Sequence, residues 1–336
     1  MEFTGIGDLA QNLMFRRQGA GLKTQMTRLT QELTTGKSQN TSARVKGDFG
    51  PLAGIEHQLG KLEAFQHVRD GFSNRMGAVQ SSLEAIQTTT EGFGAGLVAA
   101  ASLEQFEGMK AWSANARGHF DQVVSYMNSQ FDGKFLFSGA ESDRAPLMTA
   151  DDMMTQLGAV AATATDAADL VAKIDSWFFD PGGSFETAAY QGGDMPADAV
   201  QVSDAAGIVQ PILAKDDGFR VLLRGLALTA LVAEDAAPIA LSEHPALLSS
   251  AGQSVIEGQN ALTSLQRDIG SIQASLSRED TAATAERVAY ENAKTTITSV
   301  DPYEAAAELE AVQFQIETLY VLTARMSQLR LSDYLR

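Results

Sequence analysis

The chain has 336 residues, 44% of them hydrophobic, enough for two or three packed domains, and this excludes disorder throughout. A formal net charge of -17, from 25 basic and 42 acidic residues, opposes nucleic acid and anionic membranes as partners. Cysteine is absent, which excludes disulfides, thiolate metal sites and thiol nucleophiles.

Residues 1–7 hold two glycines and little pattern, so the first helix is expected from Asp8, a candidate N-cap, to Thr35, ending at Gly36. Phe15, Leu22 and Leu29 recur every seven residues, with Met26 and Leu33 beside them. Its charges, Arg16, Arg17, Lys23 and Arg28, are basic. Lys37 to Pro51 is polar, with two glycines and a proline, and reads as a linker. From Leu52 no proline occurs until Pro146. There Phe65, Phe72, Val79, Ile86 and Phe93 form one seven-residue row, and Ile55, Leu62, Met76 and Leu83 form a second, broken by Arg69. Gly92, Gly94 and Gly96 should end or kink this helix, and another is expected from about Leu97 to Phe131.

Between Pro146 and Pro245 the heptads disappear and most of the prolines gather. Asp151 to Phe179 reads as partly helical and Asp216 to Val232 as an apolar helix. Ser184 to Gln191, Ala199 to Ser203 and Ile208 to Ala214 are strand candidates. A small mixed α/β insertion is expected. After Pro245, Val255, Leu262, Ile269, Leu276, Ala283, Tyr290 and Ile297 stand seven residues apart, a long helix needing a partner of similar length within the chain.

Asp301-Pro302-Tyr303-Glu304 is a helix start, with a capping aspartate, a proline where no donor is lost and a glutamate three residues on. The helix that follows carries Leu309, Val312, Ile316, Leu319, Leu322, Met326 and Leu329 at spacings of three and four. Antiparallel pairing with the first helix would bring Glu310 near Arg28 and Glu317 near Lys23. The fold class that emerges is mainly α: a nested antiparallel long-helix coiled-coil rod with a small mixed α/β insertion domain. Its parts are 1–36 with 301–336, 37–140 with 246–300, and 141–245. The outer pair cannot bury its own stripes, so self-association is expected, with Phe15, Leu22, Met26, Leu29, Leu33 and the seven residues from Leu309 to Leu329 as the assembly interface. Leu319, Leu322, Met326 and Leu329 are the ones assigned to burial between subunits.

Sites for chemistry are sparse. His57, His67, His119 and His244 lack metal-ligand spacing, and Gly92-Phe93-Gly94-Ala95-Gly96 lacks the Lys-Ser/Thr pair of a phosphate loop. Asp151-Asp152 and Asp216-Asp217-Gly218 read as helix starts or turns rather than calcium loops. Asn40-Thr41-Ser42 fits a glycosylation pattern without a context for it, and Trp112 and Trp177 read as packing residues. No nucleophile, base and orienting group converge, so no enzyme and no cofactor are expected. No apolar run is long enough for a bilayer, and the first residues lack the order of a cleavable leader.

Asp132-Gly133-Lys134-Phe135-Leu136-Phe137-Ser138-Gly139, followed by Pro146, resembles the L-F-S-G turn of bacterial flagellin-type proteins. Thr323-Ala324-Arg325-Met326-Ser327-Gln328-Leu329 and the final Tyr334-Leu335-Arg336 are similar to their C-terminal helix. Within that group, Asp8-Leu9-Ala10-Gln11 and Leu29-Thr30-Gln31-Glu32-Leu33-Thr34-Thr35-Gly36 are similar to the type 3 hook-associated family of the hook–filament junction, in its alphaproteobacterial form. Ser38 to Ser42 departs from that family's D-D-P stretch, which leaves filament flagellin as the nearest alternative. The resemblance implies an extracellular flagellar protein exported through the flagellar type III apparatus. Implied partners are hook-associated protein type 1, filament flagellin and an export chaperone that holds the last helix. An intracellular coiled-coil adaptor is the alternative of another class.

Overall fold

The computed structural model describes the backbone of residues 5–104 and 106–334, and side-chain surroundings for 10–11, 13–104 and 106–326. In chain order the helices are α1 (Gly5–Thr35), α2 (Thr41–Arg44), α3 (Gly50–Thr90), α4 (Phe93–Ser102), α5 (Phe106–Ser113) and α6 (Ala116–Met127). A hairpin of β1 (Gln130–Phe131) and β2 (Lys134–Phe135) follows, then α7 (Ala150–Ala161) and α8 (Ala167–Phe179). The pair β3 (Val200–Gln201) and β4 (Gly207–Ile208) precedes α9 (Asp217–Ala233), α10 (His244–Thr298) and α11 (Pro302–Tyr334). The protein is mainly helical, long helices packing on one another, with two small antiparallel strand pairs among the described residues. It divides into a unit of residues 1–62 and 283–336 and a unit of residues 63–282.

In the 63–282 unit, α3 and α10 run antiparallel. Gln259 donates to the Thr90 carbonyl at 2.6 Å, Gln87 to Thr263 at 3.4 Å, and Arg69 to Asp280 at 3.2 Å. Both heptad rows are buried from Phe72 onward, through Met76, Val79, Leu83 and Ile86, against Val255, Leu262, Ile269 and Leu276. Arg69, which interrupts the second row, is only 4% exposed and also donates to the Val202 carbonyl at 3.0 Å. It joins α3, α10 and the end of β3.

The helix expected from Leu97 to Phe131 is instead three. Gly92 takes a left-handed φ of 70° to end α3 and start α4. Glu104, at a φ of 49°, turns the chain back so that α5 lies on α4, with the Trp112 indole over Gly96, where a Cβ would collide. No glycine marks that turn; the packing of Met109 and Trp112 selects it. Phe131 lies in β1. Gly94 and Gly252 let α4 and α10 touch: a Cβ on Gly94 would stand 2.6 Å from the Gly252 carbonyl. The glycine run once comparable to a phosphate loop is a helix start and a helix crossing.

Three further expectations change. Ser184–Gln191 is not a strand: Phe185–Ala189 form a single wide helical turn, because the Phe185 ring packs 5.7 Å from Phe178 and 6.0 Å from Trp177. Of Ile208–Ala214 only Ile208 is in a strand; Ile212, Leu213 and Ala214 are buried outside any strand, Ala214 N–H donating to the Phe137 carbonyl at 2.9 Å. The linker after Gly36 contains α2, capped by Asn40, whose Oδ1 accepts from Ala43 N–H at 3.2 Å. The supposed glycosylation triplet is a helix cap.

Candidate assembly interface

The 1–62 and 283–336 unit is built on the pairing of α1 with α11. Gly36, at a φ of 68°, stops α1. Its carbonyl accepts from Val300 N–H at 3.0 Å, and Ser38 N–H donates to the Thr298 carbonyl at 2.9 Å. The buried carboxylate of Glu32 accepts from Arg28 at 2.7 Å and from Gln39 N–H at 2.8 Å, tying the end of α1 to the next segment. Asp301 Oδ1 accepts from Tyr303 N–H at 2.8 Å and Glu304 N–H at 3.4 Å, the N-cap its sequence announces. The chain therefore re-enters beside Gly36, and α11 runs back along α1.

Leu29, Ala305, Val312 and Leu319 are buried in this seam, and Phe15, Leu22, Met26, Leu309, Ile316 and Met326 are half-buried. Leu319 rests on Gly19, where a Cβ would stand 3.2 Å from its Cδ2, so it is covered within the chain. Leu33 and Leu322 face outward, Leu322 47% exposed. Leu329 lies outside the described side chains. The expected ion pairs give way to other contacts: Arg28 pairs with Glu32 of its own helix, and the Lys23 ammonium sits 5.9 Å above the Tyr320 ring.

A second row was not singled out from the sequence. Tyr303, Phe314 and Val321 are 89%, 70% and 52% exposed. Steps of eleven and seven residues at about 100° each bring them to one line, on the side of α11 opposite Ala305, Val312 and Leu319. The signal was present as spacing, but the heptad row beside it drew the assignment. The face of α11 opposite the seam is open and mixed: Tyr303, Phe314 and Val321 share it with Glu310 and Glu317.

The L-F-S-G turn lies in the other unit and has a clear physical content. Asp132 and Gly133, with φ of 51° and 71°, make the tight turn between β1 and β2. Leu136, Phe137 and Ser138 are buried, and Phe137 meets Phe219 edge to face at 5.6 Å. Gly139 is left-handed at 64°, under the Met195 carbonyl, which accepts from Ala140 N–H at 3.0 Å. Nearby, the Tyr190 hydroxyl donates to the Gly193 carbonyl at 2.6 Å, and burial, with Asp194, Asp216 and Glu141 around it, pushes its pKa up to about 12. Asp216 is raised by burial, and Asp194 is lowered by its hydrogen bond to Lys215. His119, packed edge-on against Phe93 at 4.9 Å, is lowered by burial. Burial opposes the charge of Arg117, but its hydrogen bond to Asp121 and the fields of Asp121, Glu234 and Asp151 prevail and raise it. These are packing and turn interactions. Among the described residues no three His, Asp or Glu side chains gather as a metal site, and no helix is long and apolar enough to cross a membrane.

Residues 253–335, the greater part of α10 and α11, match the family described as the bacterial flagellin C-terminal helical region. No curated protein sequence matches the chain. Among solved structures, a Vibrio parahaemolyticus protein described as flagellar and hook-associated aligns with a TM-score of 0.53 at 15% identity, covering 72% of this chain and 94% of its own. Bacillus cereus FlgL aligns with a TM-score of 0.49 at 14% identity, over 72% and 100%. The chain therefore shares its fold with the Vibrio hook-associated structure and carries, over residues 253–335, a stretch similar to the C-terminal helices of flagellin.

Proposed function

We propose that this chain is a structural subunit of the external bacterial flagellum, a hook-associated junction protein that links hook to filament and assembles through α1 and α11. The observation that carries the reading is the row of exposed Tyr303, Phe314 and Val321 on the side of α11 that α1 leaves open. Large exposed side chains in a row opposite a covered seam call for a partner, and α1 covers the seam alone. The match over residues 253–335 supplies the flagellar context. In this reading the pair 1–36 and 301–336 is the assembly domain, 37–140 and 246–300 form the helical rod domain, and 141–245 is the outward-facing insertion. Export proceeds through the flagellar type III apparatus, with a chaperone holding α11 beforehand, and the neighbours are hook-associated protein type 1 and filament flagellin. The role is mechanical and involves no turnover.

The test is imaging of labelled full-length protein on intact cells, wild type against a Phe314→Asp/Val321→Asp double variant. One spot at each filament base is expected for the wild type. The variant should lose the spot while its tryptophan fluorescence stays native, since Trp112 and Trp177 both lie in the 63–282 unit. Two carboxylates on the open stripe would have to be buried unpaired on docking, at about 2 kcal/mol or more each. Normal incorporation of the variant, or wild-type protein confined to the cytosol, would overturn the reading. The filament flagellin alternative rests on the family matched by 253–335, and label along whole filaments would select it.

A further inference from the structure

In the 63–282 unit, the end of α7, the second half of α8 and the turn that follows border a cleft of about 610 Å³. That volume lies within the range of roughly 300–1,000 Å³ typical of small-molecule sites. Trp177, only 4% exposed, gives the cleft an aromatic wall, and Val160 and Pro181 add apolar surface. Lys173, Asp180 and Ser184 supply its polar part. The backbone around it is fixed in advance. Asp180 to Gly183 form a tight turn with Pro181 and then Gly182 at its centre, Gly182 at a φ of 72° and Gly183 N–H donating to the Asp180 carbonyl at 2.8 Å. Gly182 N–H donates to the Glu186 carboxylate at 2.9 Å. The wide helical turn Phe185–Ala189 begins directly after Ser184, and its Phe185 ring braces Trp177 at 6.0 Å. Such wide turns are rare and recur at functional sites.

The polar groups keep capacity to spare. Lys173 Nζ donates to the Thr163 carbonyl and to Asp169, each at 2.8 Å, which leaves one of its three N–H donors. Ser176 donates to one carboxylate oxygen of Asp180 and leaves the other. Ser184 makes no capping hydrogen bond, so its hydroxyl can donate or accept. We infer that this cleft binds a neutral saccharide, a hexose or a short chain of them. An anion would meet Asp180, and gains little from a lysine already paired with Asp169; an amine would meet Lys173. An alkyl chain would cover these polar groups and leave them unpaired. A sugar ring offers hydroxyls that donate to Asp180 and accept from Lys173, and a C–H face that packs on Trp177 and Val160. The inference uses only residues 159–189 and stands apart from the junction role.

Isothermal titration calorimetry of the full chain with glucose, N-acetylglucosamine, lactose, inorganic phosphate and spermidine tests it. At least one of the saccharides should bind with a dissociation constant on the order of millimolar, as a ligand of about a dozen heavy atoms does. Phosphate and spermidine should not bind. Ala159→Trp, which fills the cleft from an exposed position, should abolish saccharide binding. Asp180→Asn, which keeps the shape and removes the charged acceptor, should weaken it about tenfold. Circular dichroism of both variants should match the wild type, and if one variant loses helicity the other decides. No saccharide binding up to about 50 mM, some ten times the expected range, would overturn the assignment. So would binding of phosphate or spermidine in place of a sugar, or saccharide binding that a folded variant retains at wild-type strength.

Discussion

Arg69 shows how one residue can interrupt a pattern without weakening the fold. At a position where the heptad asks for an apolar side chain, its guanidinium donates to the Val202 carbonyl and pairs with Asp280, itself half open to solvent. The carbonyl is the more demanding partner, because without Arg69 it would be left unpaired in a buried place. Arg69→Met should therefore cost about 1 to 3 kcal/mol. Asp280→Asn should cost less than about 1 kcal/mol, as a solvent-screened pair does. Urea titration of both variants checks the order, and equal losses would contradict it. The same logic explains Leu319: its spacing marks it as apolar, but only the proximity of Gly19 tells that it is covered inside the chain.

Helix α10 carries its own internal comparison. A Cβ on Gly252 would stand 2.7 Å from the Gly94 carbonyl and 2.9 Å from Val98, whereas Gly270 has nothing within 4 Å. Gly252→Ala should destabilise by about 1 to 3 kcal/mol through overpacking at the α4 crossing. Gly270→Ala should stabilise by about 0.4 to 1 kcal/mol, by narrowing the unfolded ensemble and favouring helix. Chemical denaturation of the two variants would expose an error if both moved stability the same way. From the sequence the two glycines look alike, each a break in a long repeat. The long helices themselves were legible, since apolar spacing over five or more heptads leaves few other solutions. The turn at Glu104 and the wide turn at Phe185–Ala189 were not, because contacts distant in sequence select them.

At the scale of the whole molecule, the two units differ in how much they bury. The 63–282 unit has one continuous core running from Phe72 to Leu276, while among the described residues of the α1–α11 seam the buried apolar side chains are Leu29, Ala305, Val312 and Leu319. The terminal unit should unfold at lower denaturant. Both tryptophans report the other unit, so far-UV circular dichroism should fall before tryptophan fluorescence changes; coincident curves would show a single cooperative transition instead. The sequence by itself determined the mainly helical class, the nested pairing of early with late helices, the caps at Gly36 and Asp301 and the absence of thiol chemistry, because periodicity and end signals are local. Only the tertiary structure decided which face of α11 is covered and which is open. Two apolar rows on one helix are equivalent until a partner helix chooses between them, and α1 takes the Leu319 side, leaving Tyr303, Phe314 and Val321 to face outward.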